Sequence, residues 1–189
     1  TRGEQNVFNT RPPTMPLTRL ATTVLDLMPA RRGDAVEEAA GFAGTDLLCY
    51  RAAEPPELVA RQKAAWQPWL DWALQRHDSL LAVTDTVTAV EQPEASLRGL
   101  RAAVERLDDW RLVGVHGAAT LTGSVVLGLA LEEGVLTPEA AFDAACLDEL
   151  FEIDRWGEEE EQRRRHEALR RDLAAADRFL RLLRRAGAE

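Results

Sequence analysis

The sequence has too little cysteine to be held by disulfides. Cys49 and Cys146 are the only two, both in apolar surroundings, and no CxxC pair occurs. That excludes a disulfide framework, fits a reducing compartment and makes each thiol a small hydrophobe. Histidine is almost as scarce. None of His77, His116 and His166 follows a glutamate by three residues, and there is no HExxH. Neither a bundle-type di-iron pair nor a zinc site is encoded. GxSxG, the P-loop pattern and a strand followed by GxGxxG are also missing, which removes the nucleophile elbow and the nucleotide loops. Basic charge is in deficit: 23 Lys and Arg face 32 Asp and Glu, for a net charge of −9. Nucleic-acid binders need a basic footprint, so no nucleic-acid partner is expected. No basic stretch followed by an apolar run opens the chain, so no secretory signal is read there. A start at Thr1 is what a processed product or part of a longer chain would show.

What is present is a folding-competent balance: 46% apolar and 29% charged over 189 residues, enough for one ordinary domain. Residues 112–131, LVGVHGAATLTGSVVLGLAL, carry no formal charge over a length that could span a bilayer. Acids flank them on both sides, four glycines interrupt them and no aromatic belt frames them. The reading is a buried helix over about 109–131 at the centre of a helical core, with no membrane insertion. Gly114, Ala118, Ala119 and Gly123 would let neighbours approach it closely, and His116 is read as a hydrogen-bonded core residue.

The rest of the chain is also helical in pattern, which makes the fold class all-α or predominantly α with at most one or two short strands. Residues 1–13 end in Pro12-Pro13 and read as a linker or hinge remnant, leaving 14–189 as one helical domain. Leu17, Leu20, Val24, Leu25 and Met28 recur at helical spacing. Pro29 and Gly33 should close that helix, and Asp34 could cap the next. Asp46 to Tyr50 is short and apolar, and periodicity leaves strand and helix open. Residues 57–77 are one helix kinked at Pro68 or two helices, with Trp66, Trp69 and Trp72 as packing residues. Helices over 93–107 and from Thr137-Pro138 through Ile153 follow. The last helix carries a seam of Leu169, Leu173, Ala176, Leu180 and Leu183, stopped at Gly187.

Chemistry-bearing residues concentrate in 147–161, LDELFEIDRWGEEEE. Asp148 and Glu152 lie one turn apart with Glu149 beside them, so an enzyme using these three carboxylates as acid/base groups is one reading. First-turn acids that favour a helix N-terminus also account for Glu158, Glu159, Glu160 and Glu161. Trp156 among acids fits a protein-recognition surface better than either, and a general helical interaction scaffold is a further alternative.

Five stretches in register carry a resemblance: MPLTRLATTVLD (15–26), GTDLLCYRA (44–52), QKAAWQPWLDW (62–72), LTGSVVLGLALEEG (121–134) and LDELFEIDRWGEEEE (147–161). Together they resemble the assembly chaperone family for the α subunit of the F₁ sector of ATP synthase. The resemblance implies a chaperone without enzymatic activity or cofactor, whose partner is the unassembled α subunit before it pairs with β. It also implies a helical C-terminal domain, with the family's small β-rich N-terminal domain largely absent from this chain. Client-binding residues implied by motif are Glu149, Glu152, Asp154, Trp156, Glu158, Glu159, Glu160 and Glu161. The Ala and Arg bias suggests a bacterial source and hence the cytoplasm, with the mitochondrial matrix as the eukaryotic counterpart.

Overall fold

The computed structural model describes residues 16–86 and 88–187, so the linker read at 1–13 lies outside the described residues. They form eight α-helices: α1 (Pro16–Gly41), α2 (Pro56–His77), α3 (Glu94–Glu105), α4 (Asp109–Thr122), α5 (Val125–Glu133), α6 (Pro138–Ala145), α7 (Leu147–Trp156) and α8 (Glu160–Ala186). Among the described residues there is no strand, only an isolated bridge between Tyr50 and Thr84. The all-α expectation holds, and 46–50 resolves into a 3₁₀ turn, Leu47–Cys49, ending at that bridge.

The expected single helix over 109–131 is corrected. The charge-free run is a hairpin of two helices, α4 and α5, broken at Gly123-Ser124. Gly123 adopts φ 70, a left-handed conformation open to glycine at little cost. Ser124 then caps α5, its hydroxyl accepting from the Leu127 N–H at 3.1 Å. The hairpin closes tightly because Gly128 has no side chain: a Cβ there would meet the Val115 carbonyl at 3.0 Å. Gly114 does the same toward α8, where a Cβ would lie 2.4 Å from a Leu180 methyl. Gly114, Ala118 and Ala119 are therefore close-approach residues as expected, whereas Gly123 is a turn. Among the described residues no helix is long and apolar enough to cross a membrane.

Around this hairpin, α4 packs against α1 and α8, and α5 against α2. The α8 seam behaves as read: Leu173, Ala176 and Leu180 are buried, with Leu169 and Leu183 packed beside them. One expected boundary holds and another moves. The helix read as closing at Pro29–Gly33 does break there, at Arg31 (φ −127, ψ 16), and α1 is two helical segments joined across that kink, the second running to Gly41. The helix expected from Thr137 through Ile153 breaks instead at Cys146 (φ −105, ψ 15), so α6 and α7 are separate. Thr137 does cap α6, accepting from the Ala140 N–H. Of the three tryptophans on α2, Trp66 is buried and Trp69 and Trp72 pack against the same core, so the packing reading stands. His116 is bonded as expected, but its partner is Glu38 on α1, with Nε2 3.0 Å from the carboxylate.

Candidate functional site

The acid-rich stretch is the end of α7, a three-residue turn and the start of α8. Gly157 makes the turn with φ 85, and its N–H closes α7 on the Ile153 carbonyl at 2.9 Å. A side chain at that φ would be strained. The turn leaves Trp156 pointing outward at 86% exposure. A tryptophan carries a large apolar surface that folding ordinarily hides.

α2 and α8 hold this corner from two sides. From α2, Gln62 is fully buried; its Nε2 donates to Asp148 at 2.7 Å and its Oε1 accepts from the Ala52 N–H at 2.7 Å. Arg61 reaches Asp154 at 2.7 Å. Arg155 lies 4.2 Å from the Phe151 ring centroid and 3.5 Å from Glu57. From α8, the buried His166 presents Nε2 to Glu149 at 2.8 Å and Nδ1 to Glu158 at 3.4 Å. Arg165 adds a 2.5 Å bond to the same Glu149 oxygen. Burial pushes the Glu149 carboxyl up, but hydrogen bonds from His166 and Arg165, with Arg165's charge, outweigh it and leave the group below the ordinary glutamate value.

These contacts divide the eight residues expected at the site. Glu149, Asp154, Glu158 and Glu160 are engaged, Glu160 by Arg163 and Arg164 on its own helix. Glu152, Glu159 and Glu161 are exposed and have no ion partner among the described residues. Glu152 lies one helical turn before the exposed Trp156, and Glu159 and Glu161 follow it within five residues, so the open acids flank the apolar ring along the chain. The three acids considered for acid/base work do not converge: Asp148 turns to α2, Glu149 to α8, and Glu152 to solvent. The carboxyl that burial raises most clearly is instead Asp46, bonded to Ser124 at the α4–α5 break and pushed up to about 6.

Sequence reading missed Arg61, Gln62 and His166 as supports. His166 did leave a signal: it sits seven residues before Leu173, a polar residue on the apolar seam. Replacing it with alanine removes partners of Glu149 and Glu158 and the ring edge that contacts Phe142 at 5.3 Å. His166→Ala should cost about 2 kcal/mol, lowering Tm by roughly 4–8 °C in a chain of this size. A melting curve unchanged from wild type would mean the α7–α8 joint does not depend on it.

Residues 4–74 match the family described as ATP12 chaperone protein. The whole fold is similar to a solved point mutant of P. denitrificans Atp12p, with 34% identity and a TM-score of 0.87 over 92% of this chain and 74% of that one. The crystal structure of Atp12 from Paracoccus denitrificans gives 34% and 0.86, over 89% and 72%. The chain belongs to the ATP12 chaperone family. The Atu1473 protein of Agrobacterium tumefaciens is also similar, at 35% identity and a TM-score of 0.86, over 92% of this chain and 65% of that one. In this ATP12-family chain the exposed Trp156 corner is thus part of a chaperone fold.

Proposed function

We propose that this ATP12-family chain is an assembly chaperone that binds the unassembled α subunit of F₁ ATP synthase and prevents its aggregation before pairing with β. The α subunit as client follows from the sequence resemblance; the observation that carries the site is Trp156, 86% exposed beside Glu152, Glu159 and Glu161. Apolar surface exposed on an unassembled subunit drives aggregation, so covering it reversibly is a sufficient activity. In this reading Trp156 is the apolar anchor and the open acids accelerate encounter with a basic client patch. Glu149, Asp154 and Glu158 hold the corner in shape and reach the client less directly.

The test is capture of purified F₁ α subunit by this chain at low and high salt. Trp156→Ala should weaken capture about tenfold or more, the usual scale of a buried interface anchor. Its Tm should stay within about 2 °C of wild type, since a side chain this exposed packs little. Glu152→Gln with Glu161→Gln should reduce capture mainly at low salt. Equal capture by wild type and Trp156→Ala would remove this corner from the binding surface. No capture by wild type would overturn the choice of client.

A further inference from the structure

α8 carries charge opposite to the rest of the molecule. It holds nine arginines against five acids, a net of +4, in a chain whose total is −9, so the remaining residues carry −13. Six of the nine arginines are engaged. Arg163 and Arg164 bind Glu160, Arg165 binds Glu149, and Arg181 and Arg184 face Asp177 at 3.2 and 3.9 Å. Arg170 lies 3.6 Å from the Phe142 ring centroid.

Arg171, Arg178 and Arg185 remain, exposed and without an ion partner among the described residues. They are seven residues apart, about 10 Å at the helical rise, and form a single file about 20 Å long. Arg171 and Arg178 are each two residues from a buried seam residue, Leu173 and Leu180, so they stand on the opposite, outward crest of the helix. Their acid escorts fade along the file. Four residues before Arg171 stands Glu167, before Arg178 Ala174, and before Arg185 Arg181; only the first is the stabilising arrangement. Leu182, 51% exposed, lies on the same side between Arg178 and Arg185. The helix macrodipole accounts for cations in the last turn only, which covers Arg185 but neither Arg178 nor Arg171.

We infer that the outward crest of α8 is a second docking surface, for an acidic helical segment of a partner protein. Carboxylates repeating every seven residues on such a helix would match the arginine file in register, each guanidinium offering a planar two-pronged donor. Leu182 supplies an apolar contact within it. The −13 carried by the rest of the chain, with Glu159 and Glu161 exposed at the other end of the same helix, opposes an extended phosphate polymer or an anionic membrane. The inference goes beyond the client reading and stands without it.

The experiment titrates the full chain with a fluorescently labelled alanine-rich helical peptide that carries a glutamate every seven residues, at about 20 and 200 mM salt, where surface charge is weakly and strongly screened. The comparison is the triple variant Arg171→Gln, Arg178→Gln, Arg185→Gln, checked by its melting curve. The same proteins are titrated with a thymidine 20-mer and with phosphatidylserine vesicles. The expected result is binding of the glutamate peptide that weakens with salt and at least tenfold in the triple variant, with DNA and vesicles bound more weakly by wild type. The inference is overturned if wild type does not bind the glutamate peptide, if the triple variant binds it equally, or if DNA or vesicles bind more tightly than it does.

Discussion

Trp66→Ala lowers the unfolding free energy by about 3–5 kcal/mol, the cost of emptying a large aromatic site in a core. The expected fall in Tm is about 10 °C for a chain of this length. Trp66 is 1% exposed and its Nε1–H donates to the Ala144 carbonyl at 2.9 Å, tying α2 to the last turn of α6. Carbonyls in a last helical turn have no partner within the helix, so the alanine variant leaves a void and an unsatisfied acceptor together. Trp66→Phe separates the two. It keeps most of the volume, loses the hydrogen bond, and should cost about 1–2 kcal/mol. α2 also supports α7 through Gln62 and Asp148, so the same substitution loosens the Trp156 corner from behind. Client capture should fall in proportion to the folded fraction. A Trp66→Ala chain that melts with wild type would mean that α2 does not carry the core.

Acidification stabilises the region around Asp46, and Asp46→Asn abolishes the effect. Asp46 is fully buried. Its Oδ1 accepts from the Leu48 N–H at 3.2 Å, and its Oδ2 from the Ser124 hydroxyl at 2.9 Å and the Val126 N–H at 3.3 Å. Burial pushes the carboxyl from its usual 3.8 up to about 6, with these hydrogen bonds offsetting part of the rise. The folded state therefore holds the proton more tightly than the unfolded chain. The contribution to stability is full below about pH 4 and is lost as pH rises through about 6, in total roughly 3 kcal/mol. Between pH 7.5 and pH 5 the wild type should gain about 1.4 kcal/mol relative to Asp46→Asn, because only the carboxyl titrates there. Urea unfolding of both chains at the two pH values reads this difference directly. A difference of zero, or one favouring the variant at pH 5, would show that Asp46 is not protonated on folding.

Asp46 also explains why the α4–α5 break was hidden in the sequence. Residues 112–131 are apolar on both sides of Gly123, and Thr-Gly-Ser within such a run reads as small packing residues. The break is fixed by Ser124, whose hydroxyl caps α5 and donates to a carboxylate 78 residues earlier. Leu47 completes the joint by donating its N–H to the Gly123 carbonyl at 3.0 Å. The break at Cys146 escaped because it has no strong local stop signal, whereas the kink at Arg31 was legible from Pro29 and Gly33 on either side of it. The starts at Pro93-Glu94 and Thr137-Pro138, the seam of α8 and its end at Gly187 were legible, because each depends on residues within one turn of itself.

Helical spacing alone makes this chain helical, and its five motifs in register pointed to the family that the solved relatives then showed. The sequence also located the acidic Trp-Gly corner. Helix periodicity, caps and motifs are written in neighbours three or four residues apart, so they are readable along a line. Tertiary structure alone decided which acids are engaged and which are open. Glu149 is bound because His166 comes back from α8, Asp154 because Arg61 comes forward from α2, and Glu152 faces water beside Trp156. It also decided which arginines of α8 are spent inside the molecule and which face outward. Arg163, Arg164 and Arg181 pair within one turn of their own helix, but the engagement of Arg165 by Glu149 and of Arg170 by Phe142, like that of the corner acids, depends on long-range contact, which acts through space and leaves no period in the sequence.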